Sequence, residues 1–230
     1  MSIATIRYND SLDTILAEIE YTVARLTKNK HTKDLAGWGA PFIKRWEKVD
    51  AGQRAAWRAE VIAQAGVDED NDDLDDTVSK VDKEIRHVDG DRTARHKRYF
   101  KRQASKVINM ALESELVEVK EWPASLQTEP EAELQSLGKQ LSANVASGQG
   151  SVGERARAQA NTADHRVREI NSFIDDLNGG RRALYGTLVT RSEQKKLPPK
   201  WAERFFRKSA TRSGRKKAGA GAGDDKTKKK

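Results

Sequence analysis

Cysteine is absent from this chain of 230 residues. Its absence excludes disulfide bonds, thiolate metal sites and cysteine-based catalysis. Aromatic residues make up only 6% of the chain. Hydrophobic residues make up 36%, against about 45–50% in average globular proteins. With 34% charged residues, this composition favours a helical protein with broad solvated faces over a sheet protein.

Long apolar runs and catalytic sequence motifs are also missing. No window approaches the roughly 18 apolar residues of a membrane-spanning helix, and the N-terminus does not read as a signal peptide, so we expect a cytoplasmic protein. The chain contains no phosphate-binding loop, GxSxG, HExxH or dinucleotide fingerprint, and its four histidines are scattered. We therefore predict no enzyme, no cofactor, no metal site and no small-molecule substrate.

Positive charge is concentrated at the C-terminal end. Residues 207–230 contain ten lysines and arginines against two aspartates, which equals the net charge of +8 of the whole chain. Such a segment cannot bury enough apolar surface to fold alone, and its cations can displace counterions from a polyanion. We predict a disordered tail over 210–230 that binds polyanions through Arg212, Arg215, Lys216, Lys217, Lys226, Lys228, Lys229 and Lys230. A solubilising tail, or a latch on the acidic run 68–76, are the alternatives.

The apolar residues follow a helical rhythm nearly everywhere. The spacing predicts an all-α protein of six to eight amphipathic helices in an antiparallel bundle or packed hairpins. The first helix is predicted over 10–29, and a single helix over 92–120 is expected to end at Trp122-Pro123. We expect breaks at the acidic run "AGVDEDNDD" and at Asn178-Gly179-Gly180, and a capping box from Thr128 to Glu131 at the start of a later helix.

The stretch rich in glycine and serine at 147–153 predicts a loop or linker. It separates an N-terminal helical region, 1–146, from a C-terminal helical region, 154–209. The two regions form either one domain or two, and the sequence leaves this open.

A basic block at 92–106 lies between two acidic segments. Arg92, Arg95, Arg98, Lys101 and Arg102 fall close to one face of the predicted helix, which could lie against phosphates. The alternative is that this face pairs with neighbouring carboxylates, such as those of 68–76, within one chain or between chains.

Aromatic residues cluster near predicted helix ends. Trp38, Trp122, Trp201, Phe205 and Phe206 are candidate anchors of an interface with another subunit, or caps of the protein's own core. Trp57 is predicted to be a core residue.

Three functions fit these observations. The first is a non-enzymatic helical assembly or partner-docking protein whose basic tail contacts a polyanion or an acidic partner. The second is a nucleic-acid-associated protein of the nucleoid or packaging type, which binds phosphate through its tail and the 92–106 helix. The third is a protein that coats a granule or membrane surface with an amphipathic helix.

Overall fold

The structure, a computed structural model, describes residues 3–207. Within this range the regular structure is entirely helical, so the all-α prediction is confirmed. The predicted basic tail lies outside the described residues. None of the helices between residues 3 and 207 has the length and apolar character needed to cross a membrane.

Eight α-helices follow one another along the chain. They are α1 (Leu12–Lys28), α2 (Ala40–Asp89), α3 (Ala94–Tyr99), α4 (Ala104–Val107), α5 (Leu112–Glu118), α6 (Trp122–Gln127), α7 (Ala132–His165) and α8 (Ser172–Gln194). Two 3₁₀ segments, Lys33–Gly39 and Ala202–Phe205, and a π-helical turn, Arg166–Asn171, complete the regular structure of the described range.

The acidic run does not break α2, which continues for 50 residues. The predicted break was wrong because the buried stripe passes through the run, with Val67 directly before it and Leu74 within it. Within the run, Asp68 accepts a hydrogen bond from Gln64 one turn earlier at 2.7 Å, a spacing that stabilises helices. The helix ends at Asp89, and the following Gly90 has a φ of +89°, which favours glycine.

The predicted linker at 147–153 is also helical, in the middle of α7. Of its glycines, Gly148 is closely packed, because a Cβ there would lie 3.2 Å from the side chain of Leu116. Leu141 and Ala158 are buried on either side of it. Tertiary contacts here override the low helix propensity of glycine and serine.

The single helix predicted over 92–120 is instead three short helices, α3, α4 and α5. Their buried residues run from Tyr99 and Phe100 to Leu116 and Val119. On one straight helix these positions would spread over more than half of the circumference, which one packed face cannot bury. Pro123 does not stop a helix but lies in the first turn of α6, where proline is tolerated.

The described part of the chain divides into two compact units, 3–43 with 177–207, and 44–176. In the first unit, α8 continues through Asn178, where an interruption was predicted. The side chain of Asn178 hydrogen-bonds to the backbone of the N-terminal segment and not to its own helix. Its Oδ1 accepts from the backbone N–H of Ile6 at 3.0 Å, and its Nδ2 donates to the Ile6 carbonyl at 2.9 Å. Asn178 therefore joins α8 to the N-terminal segment.

The second unit, 44–176, holds a core between α2, α7 and the short helices. α2 and α7 run antiparallel, because Asn144 donates to Thr77 and to the carbonyl of Asp73, while His165 lies at Val49. The buried residues of the two long helices are Leu74, Val78, Val81 and Ile85 of α2 and Leu134, Leu137 and Leu141 of α7.

Two glycines of α7 should respond oppositely to alanine. A Cβ on Gly138 would lie 2.9 Å from the Cβ of Leu126, whereas Gly150 has nothing within 4 Å. We expect Gly150→Ala to raise the free energy of unfolding by up to about 1 kcal/mol, since alanine favours helix. Gly138→Ala should lower it, because α6 must move away. Chemical denaturation of both variants measures this, and a neutral Gly150→Ala would contradict an ordered helix at 147–153.

Candidate functional site

Arg95, in α3, is the centre of a largely buried group of charges. Its guanidinium donates to Glu129 at 2.8 and 2.9 Å, to Glu131, and to Asp89 at 3.3 Å. Only 14% of its side chain is exposed. Arg95 therefore pairs with carboxylates, which was the alternative for the basic block. The predicted capping box at Thr128 is wrong, because Glu131 is itself the N-cap residue of α7 and its side chain binds Arg95.

Glu129 lies between several donors. The hydroxyl of Tyr99 donates to it at 2.7 Å, and Nη1 of Arg98 at 3.1 Å. Burial alone would raise the pKa of Glu129, but the hydrogen bonds and positive charge of Arg95 outweigh burial and hold that pKa below its usual value. Burial and the neighbouring carboxylate raise the pKa of Tyr99. Tyr99 therefore stays neutral and donates.

A second contact fixes the other side of α3. The buried ring of His96 has its Nε2 at 2.8 Å from Asp82 of α2, and it stacks on Phe100 with 5.0 Å between ring centroids. At the start of α3, Thr93 Oγ1 accepts from the backbone N–H of His96 at 3.2 Å. The helix is thereby held between α2 on one side and Arg95's carboxylates on the other.

An open groove of about 690 Å³ lies beside this contact, within the second unit. His96, Phe100 and Ile108 contribute to its lining. Six exposed cations and two carboxylates surround it, so positive charges outnumber negative ones by four. The cations are Lys83, Arg86, Arg92, Lys97, Lys101 and Arg102, and the carboxylates are Asp82 and Asp91.

Three of the five residues predicted to face phosphate line this groove. Arg92 lies loosely beside Asp91 at 3.8 Å. Lys101 and Arg102 form no ion pair with any residue in the range 3–207. Arg98 remains 63% exposed but contacts Glu129, and neither Arg98 nor Arg95 is among the lining residues.

Sequence reasoning missed the part of the groove that α2 supplies. Lys83 and Arg86 are three residues apart on α2 and lie beside Lys97 of the basic block. Two cations at this spacing share a helix face, and this spacing was the signal in the sequence that could have identified them. The acidic run 68–76, by contrast, forms no ion pair with the basic block within the described residues.

Asp75, a member of the acidic run 68–76, lies near the buried carboxyl group of Glu115. Glu115 of α5 is fully buried, and neither its oxygens nor Oδ1 of Asp75 has a hydrogen-bond partner among the described residues. Burial, and then the negative charge of Asp75, raise the pKa of Glu115 to about 9. Glu115 therefore carries a proton at neutral pH.

The aromatic residues predicted as interface anchors are mostly parts of the protein's own cores. Trp122 is buried in the second unit. Trp201, Phe205 and Phe206 are buried in the first unit, and the half-buried Trp38 packs against them. These residues therefore act as core residues. The prediction for Trp57 was wrong in the opposite direction: it was predicted to be a core residue, and it is 59% exposed.

No protein-family model matches this chain, and neither a curated protein nor a solved structure matches it significantly. Function must therefore be argued from the chemistry and geometry of the site.

Removing the positive charge of Arg95 should destabilise the second unit strongly. Arg95→Met leaves buried Glu129 without its main partner, and we expect a loss of roughly 3 kcal/mol in the free energy of unfolding. Arg98→Met is the matched control, since that exposed side chain contacts the same carboxylate and should cost less than about 1 kcal/mol. Denaturant titration compares them, and equal losses would contradict the central role of Arg95.

Glu115 should make stability fall as pH rises. Its pKa increases from the ordinary 4.5 to about 9 on folding. Between these values the folded state holds a proton that the unfolded state releases, so the free energy of unfolding decreases with rising pH. Glu115→Gln should remove this decrease, because the amide has no proton to lose.

Denaturation of the wild type and Glu115→Gln at several pH values tests this. Glu118→Gln, on the same helix but only half-buried, is the control and should keep the wild-type slope. A Glu115→Gln variant that keeps the wild-type slope would show that Glu115 is not the titrating group.

Proposed function

We propose that this protein is a non-enzymatic, nucleic-acid-associated protein that binds the phosphate backbone. The observation that carries the proposal is the cationic groove between α2, α3 and α4. Its six cations belong to α2, to α3 and to the bends before and after α3, and they line one open space. Phosphate contacts of this kind supply affinity that does not depend on base sequence.

The distribution of carboxylates supports this function. Around Arg95, three carboxylates neutralise one buried arginine and one exposed arginine. Around the groove, Asp82 is occupied by His96 and by Arg86 at 3.1 Å, which leaves Asp91 as the other acidic group. Lys97, Lys101 and Arg102 are therefore left to attract an external anion, because nothing in the lining balances their charge.

The basic tail supports the same function from the sequence. Its eight predicted polyanion-binding cations lie outside the described residues, and by sequence they add a second source of phosphate contacts. The cations of the groove and those of the tail can contact the same strand. Each contact releases condensed counterions and steepens the salt dependence of binding.

Removing groove cations should weaken nucleic-acid binding more than removing equal charge elsewhere. We expect the full-length triple variant Lys97→Ala, Lys101→Ala, Arg102→Ala to bind duplex DNA and RNA more weakly. The slope of log affinity against log salt should become shallower by about two to three, since each lost phosphate contact removes about 0.9 on duplex DNA. Fluorescence anisotropy over a salt series measures both quantities.

The matched control removes three other exposed cations of the second unit: Lys120→Ala, Lys139→Ala and Arg157→Ala. These residues form no ion pair with any residue of the described range and lie outside the groove. Equal losses in both triple variants would show that net charge, not the groove, drives binding. No binding by the wild type at low salt would reject the proposed function.

A further inference from the structure

One stretch of α2 in the second unit has very little burial. No residue from 50 to 66 is buried, and on α7 between 149 and 165 only Ala158 is. The two helices nevertheless contact each other, since Nη1 of Arg155 is 3.4 Å from Gln64 and His165 lies at Val49. Helices this sparsely packed gain little stability from burial.

The exposed side of this stretch carries a patch of large apolar side chains. Val61 and Ile62 follow Trp57 by four and five residues, so the three lie within an arc of about 140° around the helix, and Ile62 is 73% exposed. The half-buried residues of the same stretch repeat on the opposite side, toward α7; they include Gln53, Ala56, Glu60 and Ala63. The patch therefore points away from α7.

Charges of opposite sign flank this patch on the same face. Arg54 and Arg58 lie at its N-terminal end, on either side of Trp57 in the sequence, and Asp68, Glu69 and Asp72 follow it, all of them exposed. A rotation of 100° per residue places these five within the arc that holds the patch. Arg54 pairs with Asp50 of its own helix at 2.9 Å but stays 67% exposed, and such exposed pairs exchange partners at little cost.

We propose that this face of α2, from Arg54 to Asp72, pairs with the same face of a second copy of the chain in an antiparallel, two-fold arrangement. With the axis near Val61 and Ile62, the arginines of each copy meet the carboxylates of the other. A parallel arrangement would bring like charges together. The face is thus complementary to itself, which is the property of an isologous dimer interface.

The apolar patch supplies the centre of this interface. Trp57 from each copy covers the aliphatic pair of the other, and tryptophan is enriched among residues that dominate binding energy. The charged ends set the direction and register of the pair. This inference goes beyond the proposed nucleic-acid binding and does not depend on it, because the groove and the face share no residue.

Charge reversal gives a sharp test with full-length protein. One variant carries Arg54→Glu and Arg58→Glu, a second carries Asp68→Lys and Glu69→Lys, and a third carries all four changes. Sedimentation equilibrium without nucleic acid measures the dimer dissociation constant. We expect each double variant to weaken the dimer at least about tenfold, because both ends then repel.

Two restorations distinguish self-pairing from other uses of this face. The variant with all four changes should dimerise within about threefold of the wild type, since opposite charges meet again. An equimolar mixture of the two double variants should form heterodimers. Arg157→Glu, a reversal outside the face, is the control and should leave the dimer unchanged. A monomeric wild type, or failure of both restorations, would overturn the proposal.

Discussion

The ion cluster around Arg95 is the interaction on which the arrangement of the second unit depends. One guanidinium joins α3 to the end of α2 through Asp89 and to the α6–α7 connection through Glu129 and Glu131. Burying the charge of Glu129 costs free energy unless that charge is paired. Moving α3 away would therefore leave the charge of Glu129 buried without its main partner. Since α3 also carries His96, whose contact with Asp82 closes one side of the groove, the cluster fixes the groove as well.

The basic block 92–106 therefore contains two kinds of cation, those paired inside the fold and those that line the groove. The amino-acid composition of the block does not show which cation is of which kind. Arg95 is satisfied because three carboxylates lie within reach, whereas Lys101 and Arg102 face a space lined by few acids. Both kinds of cation alternate along a few residues, and what distinguishes them is the position of distant carboxylates. Glu129 follows Arg95 by 34 residues, so local charge patterning has no means of pairing them.

Helical periodicity predicted the parts of the fold that depend on apolar burial. The all-α class follows from it, and the buried residues Leu74, Val78, Val81 and Ile85 of α2 stand at the helical steps of four, three and four. Propensity failed where a tertiary contact supplied the missing stability. Gly148 packs against Leu116, and Asn178 satisfies the backbone of Ile6, so both lie inside continuous helices. For the candidate site, the sequence predicted Arg92, Lys101 and Arg102, but the contribution of Lys83 and Arg86 requires the fold.

The uneven burial of α2 gives the two proposals different physical signatures. From Val67 to Ile85 the helix is anchored in a core, while from 50 to 66 it presents an apolar patch between opposite charges. The proposed phosphate binding in the groove would be driven by counterion release and would weaken steeply with salt. The proposed pairing through Trp57 and Ile62 would retain its apolar part at high salt, because screening acts on exposed charges and not on buried apolar area. Self-association should therefore persist at salt concentrations at which nucleic acid has dissociated.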